Sequence, residues 1–109
     1  MKRGEIRLVA APGDYGKARP AVVVQTDLLN DGHSSLVVCL MTSDVVEAPL
    51  LRIDVAPAPG NGLRKASQVM VDKLVTLRRE RIGDRIGALD EDTGLRLDRA
   101  LAFVLGLAK

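Results

Sequence analysis

Tryptophan is absent from this 109-residue chain, and Tyr15 and Phe103 are its only aromatic residues. That shortage excludes a protein that stacks successive bases on a row of aromatic side chains. Cysteine and histidine each occur once. One of each cannot furnish the three or four ligands of a zinc site. A lone cysteine forms no internal disulfide, so a reducing compartment fits. No apolar run approaches the ~20 residues of a membrane span. The opening Met-Lys-Arg-Gly-Glu lacks the apolar stretch of a signal peptide. These absences predict a single cytoplasmic domain over residues 1–109, with no metal and no membrane partner.

What is present is ordinary in amount and uneven in placement. Apolar residues make up 47% and charged residues 28%, which places the chain among globular proteins and away from disordered ones. The net charge is only +2, but the isoelectric point is near 9.0. Arginine outnumbers lysine 11 to 5, and arginine suits bidentate phosphate contacts. Between Arg64 and Arg85 lie seven basic residues against three acidic ones. Such an excess fits a phosphate-facing patch, but on charge alone a solvated strand-and-turn surface is the favoured reading.

Glu5–Ala10 alternates polar and apolar residues as a half-buried strand does. A Pro/Gly loop follows. Arg19–Gln25 and Ser35–Met41 are β-branched and almost wholly apolar, the pattern of buried strands, with Pro20 tolerable only near a strand start. Asn30-Asp31-Gly32 marks a turn between them. Leu50–Asp54, Ser67–Leu77 (as one long bent strand) and Ile82–Leu89 add further strands around the loop Pro57–Gly62. Asp90 then stands as an N-cap before Leu97, Leu101, Val104 and Leu105, which recur at helical spacing. The expected fold is mainly β, α+β in class: a small barrel-like sheet of five to seven short antiparallel strands closed by a C-terminal helix.

If the connection between the two apolar strands is symmetric, opposed residues sum to about 61, and Arg19 falls opposite Thr42. Side chains so opposed share a face at a Cβ separation of ~5 Å. A guanidinium fork beside a hydroxyl suits an anion that gains charge in a transition state. The plainer alternative is an edge arginine solvating the barrel rim while Thr42 opens a turn. His33 lies in the turn at the far end of this hairpin and reads as solvent-exposed. Cys39 lies among Val and Leu and reads as a buried small hydrophobe.

These residues also carry a resemblance. Gly4-Glu5-Ile6, the Pro/Gly loop and Arg19-Pro20-Ala21-Val22-Val23-Val24 resemble the N-terminal signature of the MazF/PemK (Kid) toxin family. Met41-Thr42-Ser43 sits where that family keeps a Thr-Ser after its apolar strand. Ser67–Leu77, followed by Arg81-Ile82 and Ile86-Gly87, is similar to its third block. The resemblance spans about residues 3–107. The loop Ala11–Ala18 departs from the family's more usual Glu/Gly-containing form, and Ala56–Ala66 has no close match.

The resemblance implies a compact SH3-like barrel that forms a homodimer. It implies a toxin of a type II toxin-antitoxin system that cleaves single-stranded RNA at short specific sites, with no metal and no cofactor. The products would carry a 2′,3′-cyclic phosphate and a 5′-hydroxyl. It also implies a MazE-like antitoxin whose acidic tail covers the RNA groove, and operator DNA bound only by the toxin-antitoxin complex. Carried over residue by residue, Arg19 and Thr42 match the catalytic Arg and Thr, and Asp72 falls near a proposed general base. Ser43, Ser67 and Gln68 match groove-lining positions, and Tyr15 and Lys17 sit in the loop that moves over substrate. The chemistry is coherent, because RNA brings its own nucleophile, the 2′-hydroxyl, and the protein needs only to orient the phosphate and neutralise it. Two alternatives stand beside it. One is a toxin-like module that binds RNA or protein without cutting. The other is a CcdB-like gyrase poison, which relies on a C-terminal Trp that this chain lacks.

Overall fold

The β-branched runs form the middle of an antiparallel sheet in the computed structural model, which describes residues 1–108. The strands are β1 (Glu5–Ala10), β2 (Ala18–Val23), β3 (Ser35–Thr42), β4 (Arg52–Val55), β5 (Ser67–Arg78) and β6 (Ile82–Ala88). They lie in the order β4-β5-β3-β2-β1-β6. A single helical turn, α1 (Asp27–Asn30), interrupts the β2–β3 connection, and α2 (Glu91–Val104) follows β6.

The central strands are apolar on both faces because both faces are covered. Val22, Cys39 and Met41 point into one core with Ile6, Val69, Val71 and the α2 residues Leu97 and Leu101. Ala21, Val23, Leu36 and Val38 point into a second core with Val9, Leu77 and Ile82. The sheet's two edges, β4 and β6, are bridged by the loop after β4. There the Ala88 amide donates to the Gly60 carbonyl at 2.9 Å, and the Gly87 backbone packs against Asn61. This bridge turns an open sheet into the barrel-like body the sequence predicts, and it leaves no free edge at that point.

Two local features set up the site. The β2–β3 ladder pairs Ala21 with Leu40, Val22 with Cys39 and Val23 with Val38, so opposed residues do sum to 61. The ladder stops where Pro20, which has no N–H to offer, enters. Beyond it the ends of β2 and β3 part. On the other side of β3, Cys39 opposes Leu74 while Met41 opposes Val69. On the β3 side, residues 70–73 of β5 therefore stand opposite Leu40 alone, and the long strand bends at this bulge as bulged strands do.

The helices follow their caps. Asp90 accepts from the Thr93 amide at 2.7 Å and starts α2. That hydrogen bond holds the exposed Asp90 carboxyl below its ordinary pKa. The turn expected at Asn30–Gly32 is preceded by α1, a correction to the sequence reading. Thr26 caps it by accepting from the Leu28 amide, and Asn30 is buried, donating to the Gln25 carbonyl and to Asp27. A polar residue that reads as turn chemistry is here spent inside the fold.

Candidate active-site cleft

A cleft of about 550 Å³ opens where β2 and β3 part. Its first wall comes from those strand ends: Arg19, Pro20, Met41, Thr42 and Ser43. Its second comes from the bridging loop: Gly62, Leu63, Arg64 and Lys65. Ser67 and Ile86 lie between. The size is that of an ordinary small-ligand site.

Arg19 does not stand alone. Its Nε lies 2.7 Å from Asp14 Oδ2, and its Nη2 donates to Asp14 Oδ1 at 3.0 Å. The carboxylate side chain is 17% exposed and the guanidinium 34%. Of the five guanidinium N–H groups, one, on Nη2, is hydrogen-bonded to Asp14, whose buried Oδ2 meets Nε as an ion-pair contact and accepts no hydrogen bond. Asp14 reaches this position through the loop geometry. Tyr15 beside it adopts φ +53°, a left-handed conformation that costs a non-glycine residue about 1 kcal/mol or more. That strain fixes the loop tip and leaves the Tyr15 ring fully exposed.

Thr42 is positioned by its own turn. Its Oγ1 accepts from the Asp44 amide at 3.0 Å, which occupies a lone pair and leaves the hydroxyl proton to donate into the cleft. Ser67 donates its Oγ hydrogen to the Lys65 carbonyl at 2.9 Å and so offers the cleft only acceptor capacity.

The residues singled out from the sequence divide into three groups. Arg19, Thr42, Ser43 and Ser67 line the cleft together. Tyr15 and Lys17 are exposed on the loop that carries Asp14 and are not part of the lining. Gln68 and Asp72 are elsewhere. The Gln68 amide is buried and committed to other partners: it accepts from the Val46 amide at 3.1 Å and donates to the Val46 carbonyl and to Asp54 at 2.8 Å each. It holds the segment after β3 in place. Asp72 is exposed in the β5 bulge. It lies four residues beyond the partner of Thr42, about 13 Å along an extended strand.

Three residues of the site escaped the sequence reading: Asp14, Arg64 and Lys65. Asp14 looked like loop chemistry, and only the loop's left-handed turn shows that it faces Arg19. Arg64 and Lys65 opened the basic stretch, and their place just before Ser67 was the signal available. His33 is exposed and Cys39 fully buried, as their sequence contexts imply. Burial pushes the Cys39 thiol up to about 12, which keeps it from acting as a nucleophile.

Residues 2–105 match the family model described as PemK-like, MazF-like toxin of type II toxin-antitoxin system. A probable endoribonuclease MazF of Mycolicibacterium smegmatis is 44% identical over 109 residues, covering 99% of each chain. The endoribonuclease EndoA of Bacillus subtilis is 25% identical over 111 residues, covering 98% of this chain and 96% of that one. Among solved structures, an endoribonuclease in complex with its cognate antitoxin, from a mycobacterial species, superposes with a TM-score of 0.82 at 25% identity, covering 100% of this chain and 98% of that one. The Mycobacterium tuberculosis toxin MazF-mt6 superposes at 0.83 with 22% identity, covering 96% and 99%, a likeness of fold.

Proposed function

This chain belongs to the PemK-like, MazF-like family of toxins of type II toxin-antitoxin systems and is an endoribonuclease toxin; from that premise we propose that it cleaves single-stranded RNA in the cleft between β2, β3 and the bridging loop. The observation that carries this assignment is that Arg19, ion-paired to Asp14, lines one cleft together with Thr42.

The free N–H groups of Arg19 and the Thr42 hydroxyl bind the non-bridging oxygens of the scissile phosphate. They strengthen their hold as negative charge builds on the phosphorane, which is how preorganised donors lower a barrier. The adjacent 2′-hydroxyl loses its proton and attacks the phosphorus, the P–O5′ bond breaks, the departing O5′ takes up a proton from solvent, and the products are a 2′,3′-cyclic phosphate and a 5′-hydroxyl. Arg19 is a cation at any ordinary pH and makes no base. Asp14, beside it, is the nearer carboxylate to receive the 2′-hydroxyl proton. Asp72, which the resemblance suggests, stands away in the β5 bulge. Tyr15, exposed on its strained loop, offers a face on which one base stacks. Lys17 on the same loop and Ser43 on the cleft wall contribute further polar contacts. No metal takes part in this scheme.

The partner is a MazE-like antitoxin, the active species a homodimer, and the location cytoplasmic. Operator DNA is bound by the toxin-antitoxin complex. The test is a cleavage assay on a long single-stranded RNA in EDTA with both fragment ends mapped. Discrete cuts with 5′-hydroxyl ends are expected, and Arg19→Ala should lower the rate at least 100-fold. Intact RNA across several unrelated sequences would overturn the reading and favour a module that binds without cutting.

A further inference from the structure

The second wall of the cleft carries two cations that the scheme above does not use. Arg64 and Lys65 are exposed and line the same cleft as Arg19 and Thr42. No carboxylate lines it with them, and neither has an ion-pair partner among the described residues. Arg19 is already neutralised by Asp14. The uncompensated positive charge of the cleft therefore resides on the bridging loop and not on the reacting side.

The loop that holds these cations is fixed at several points. Asn61 is 7% exposed. Its Oδ1 accepts from the Ala58 amide at 3.1 Å and the Leu63 amide at 3.0 Å, while its Nδ2 donates to the Ala56 carbonyl at 2.8 Å. Gly62 adopts φ +70° and passes so close to β6 that a Cβ there would lie 2.1 Å from the Ile86 carbonyl oxygen. Leu63 packs on the main core. Two exposed cations on a tied loop have already lost much of the backbone freedom that binding would otherwise cost.

We propose that Arg64 and Lys65 grip the RNA phosphates flanking the scissile one, and that Asn61 is the positioning residue that presents them. This deepens the ribonuclease reading and rests on it. The cleft then splits its work: Arg19, Asp14 and Thr42 act on the reacting phosphate, and the bridging loop supplies the electrostatic hold on the strand.

The test uses the full chain and a fully 2′-O-methylated copy of an RNA segment containing a mapped cut, which binds and cannot be cleaved. Affinity is measured from 50 to 300 mM salt. Each phosphate contact on a single strand contributes about 0.7 to the slope of log affinity against log salt, so Arg64→Ala with Lys65→Ala should flatten that slope by about 1.4. With cleavable RNA the same double variant should raise KM at least tenfold while kcat moves less than threefold. Asn61→Ala should raise KM as well, and its effect should largely vanish in the double-variant background. Arg99→Ala, exposed on α2, controls for net charge and leaves the slope unchanged. Both loop cations are exposed, so the double variant keeps the fold, checked by its melting temperature.

An unchanged slope in the double variant overturns the proposal. So does a variant that keeps RNA binding but loses binding to poly-glutamate, which would reassign the pair to an acidic polypeptide. If the unsubstituted chain cuts RNA and the slope does not move, only this proposal fails. If the unsubstituted chain leaves RNA intact, the ribonuclease reading fails first.

Discussion

Asp14 decides how Arg19 works. A guanidinium that donates from Nη2 to a carboxylate at 3.0 Å, with its Nε 2.7 Å from the second oxygen, is tied to the loop that carries that carboxylate. In the proposed mechanism the same carboxylate receives the 2′-hydroxyl proton. Asp14→Asn keeps shape and hydrogen-bonding capacity and removes the charge. The variant should lose kcat/KM by about 100-fold, the range of a lost general base. A variant that keeps kcat and loses only affinity would leave Asp14 no more than the role of holding Arg19. The β2–β3 register that brings Arg19 and Thr42 to one end of the hairpin was legible in the sequence, because apolar strands of similar length joined by one connection fix their own register, although the ladder ends at Ala21 and the two residues are not themselves paired. Asp14 was not legible. Its approach to Arg19 depends on the left-handed turn at Tyr15, and nothing in residue spacing announces that turn. Gln68 illustrates the opposite failure. A polar residue beginning a strand reads as a groove-lining group, and here the fold consumes its amide on Val46 and Asp54.

At the scale of elements, the strands were legible wherever β-branched residues run together, and both faces of β2 and β3 could be called buried from the lack of alternation. The β5 bulge was foreseen only as a bend. Its consequence, that Asp72 leaves the groove, needs the pairing on both sides of the bulge. The bridge between β4 and β6 was invisible in sequence, because its loop Ala56–Ala66 signals only punctuation. Yet that bridge both closes the barrel and builds the second cleft wall. A Cβ at Gly87 would stand 2.4 Å from the Asn61 backbone, so Gly87→Ala should cost about 3 kcal/mol and lower Tm by roughly 10–20 °C. Gly94, inside α2 with open space around it, is the contrasting site. There Ala should raise stability by about 0.5–1 kcal/mol. A neutral Gly87→Ala would show that the bridge is loose.

The β1–β6 pair has its own electrostatic tie. Burial pushes the Glu5 carboxyl up, but hydrogen bonds from the Lys2 amide and Arg7, with the charge of Arg7, together hold it below its ordinary pKa. Its other oxygen meets Arg85 of β6 at 3.1 Å. A depressed folded-state pKa means that the stabilisation is fully present above the unfolded value, about 4.3, and is lost as pH falls through the folded one. The Tm gap between the unsubstituted chain and Glu5→Gln should therefore be constant from pH 6 to 8 and close below about pH 4. A gap that widens in acid would reverse the sign and remove Glu5 from the tie.

The whole molecule is as compact as a single chain of its size becomes, with a radius of gyration of 12.9 Å against the ~13 Å typical of 100 residues. Its exposed apolar side chains are therefore not a sign of loose packing. Four of them, Leu95, Phe103, Leu105 and Leu107, are about half exposed or more on α2 and the segment after it. A net charge of +2 provides little repulsion between copies. A chain with 6880 Å² of surface can give about 800 Å² to a partner of standard interface size and still leave the cleft open. Association that buries apolar surface makes folding and dimerisation one equilibrium, so stability should depend on protein concentration. Sedimentation equilibrium at micromolar concentration should return twice the 11.7 kDa of the chain, and Tm should rise between 1 and 100 µM. A single 11.7 kDa species at 100 µM with an invariant Tm would make the monomer the active unit. The apolar side chains of α2 would then have to be covered by the antitoxin, and toxin and antitoxin mixed at that concentration should pair one to one.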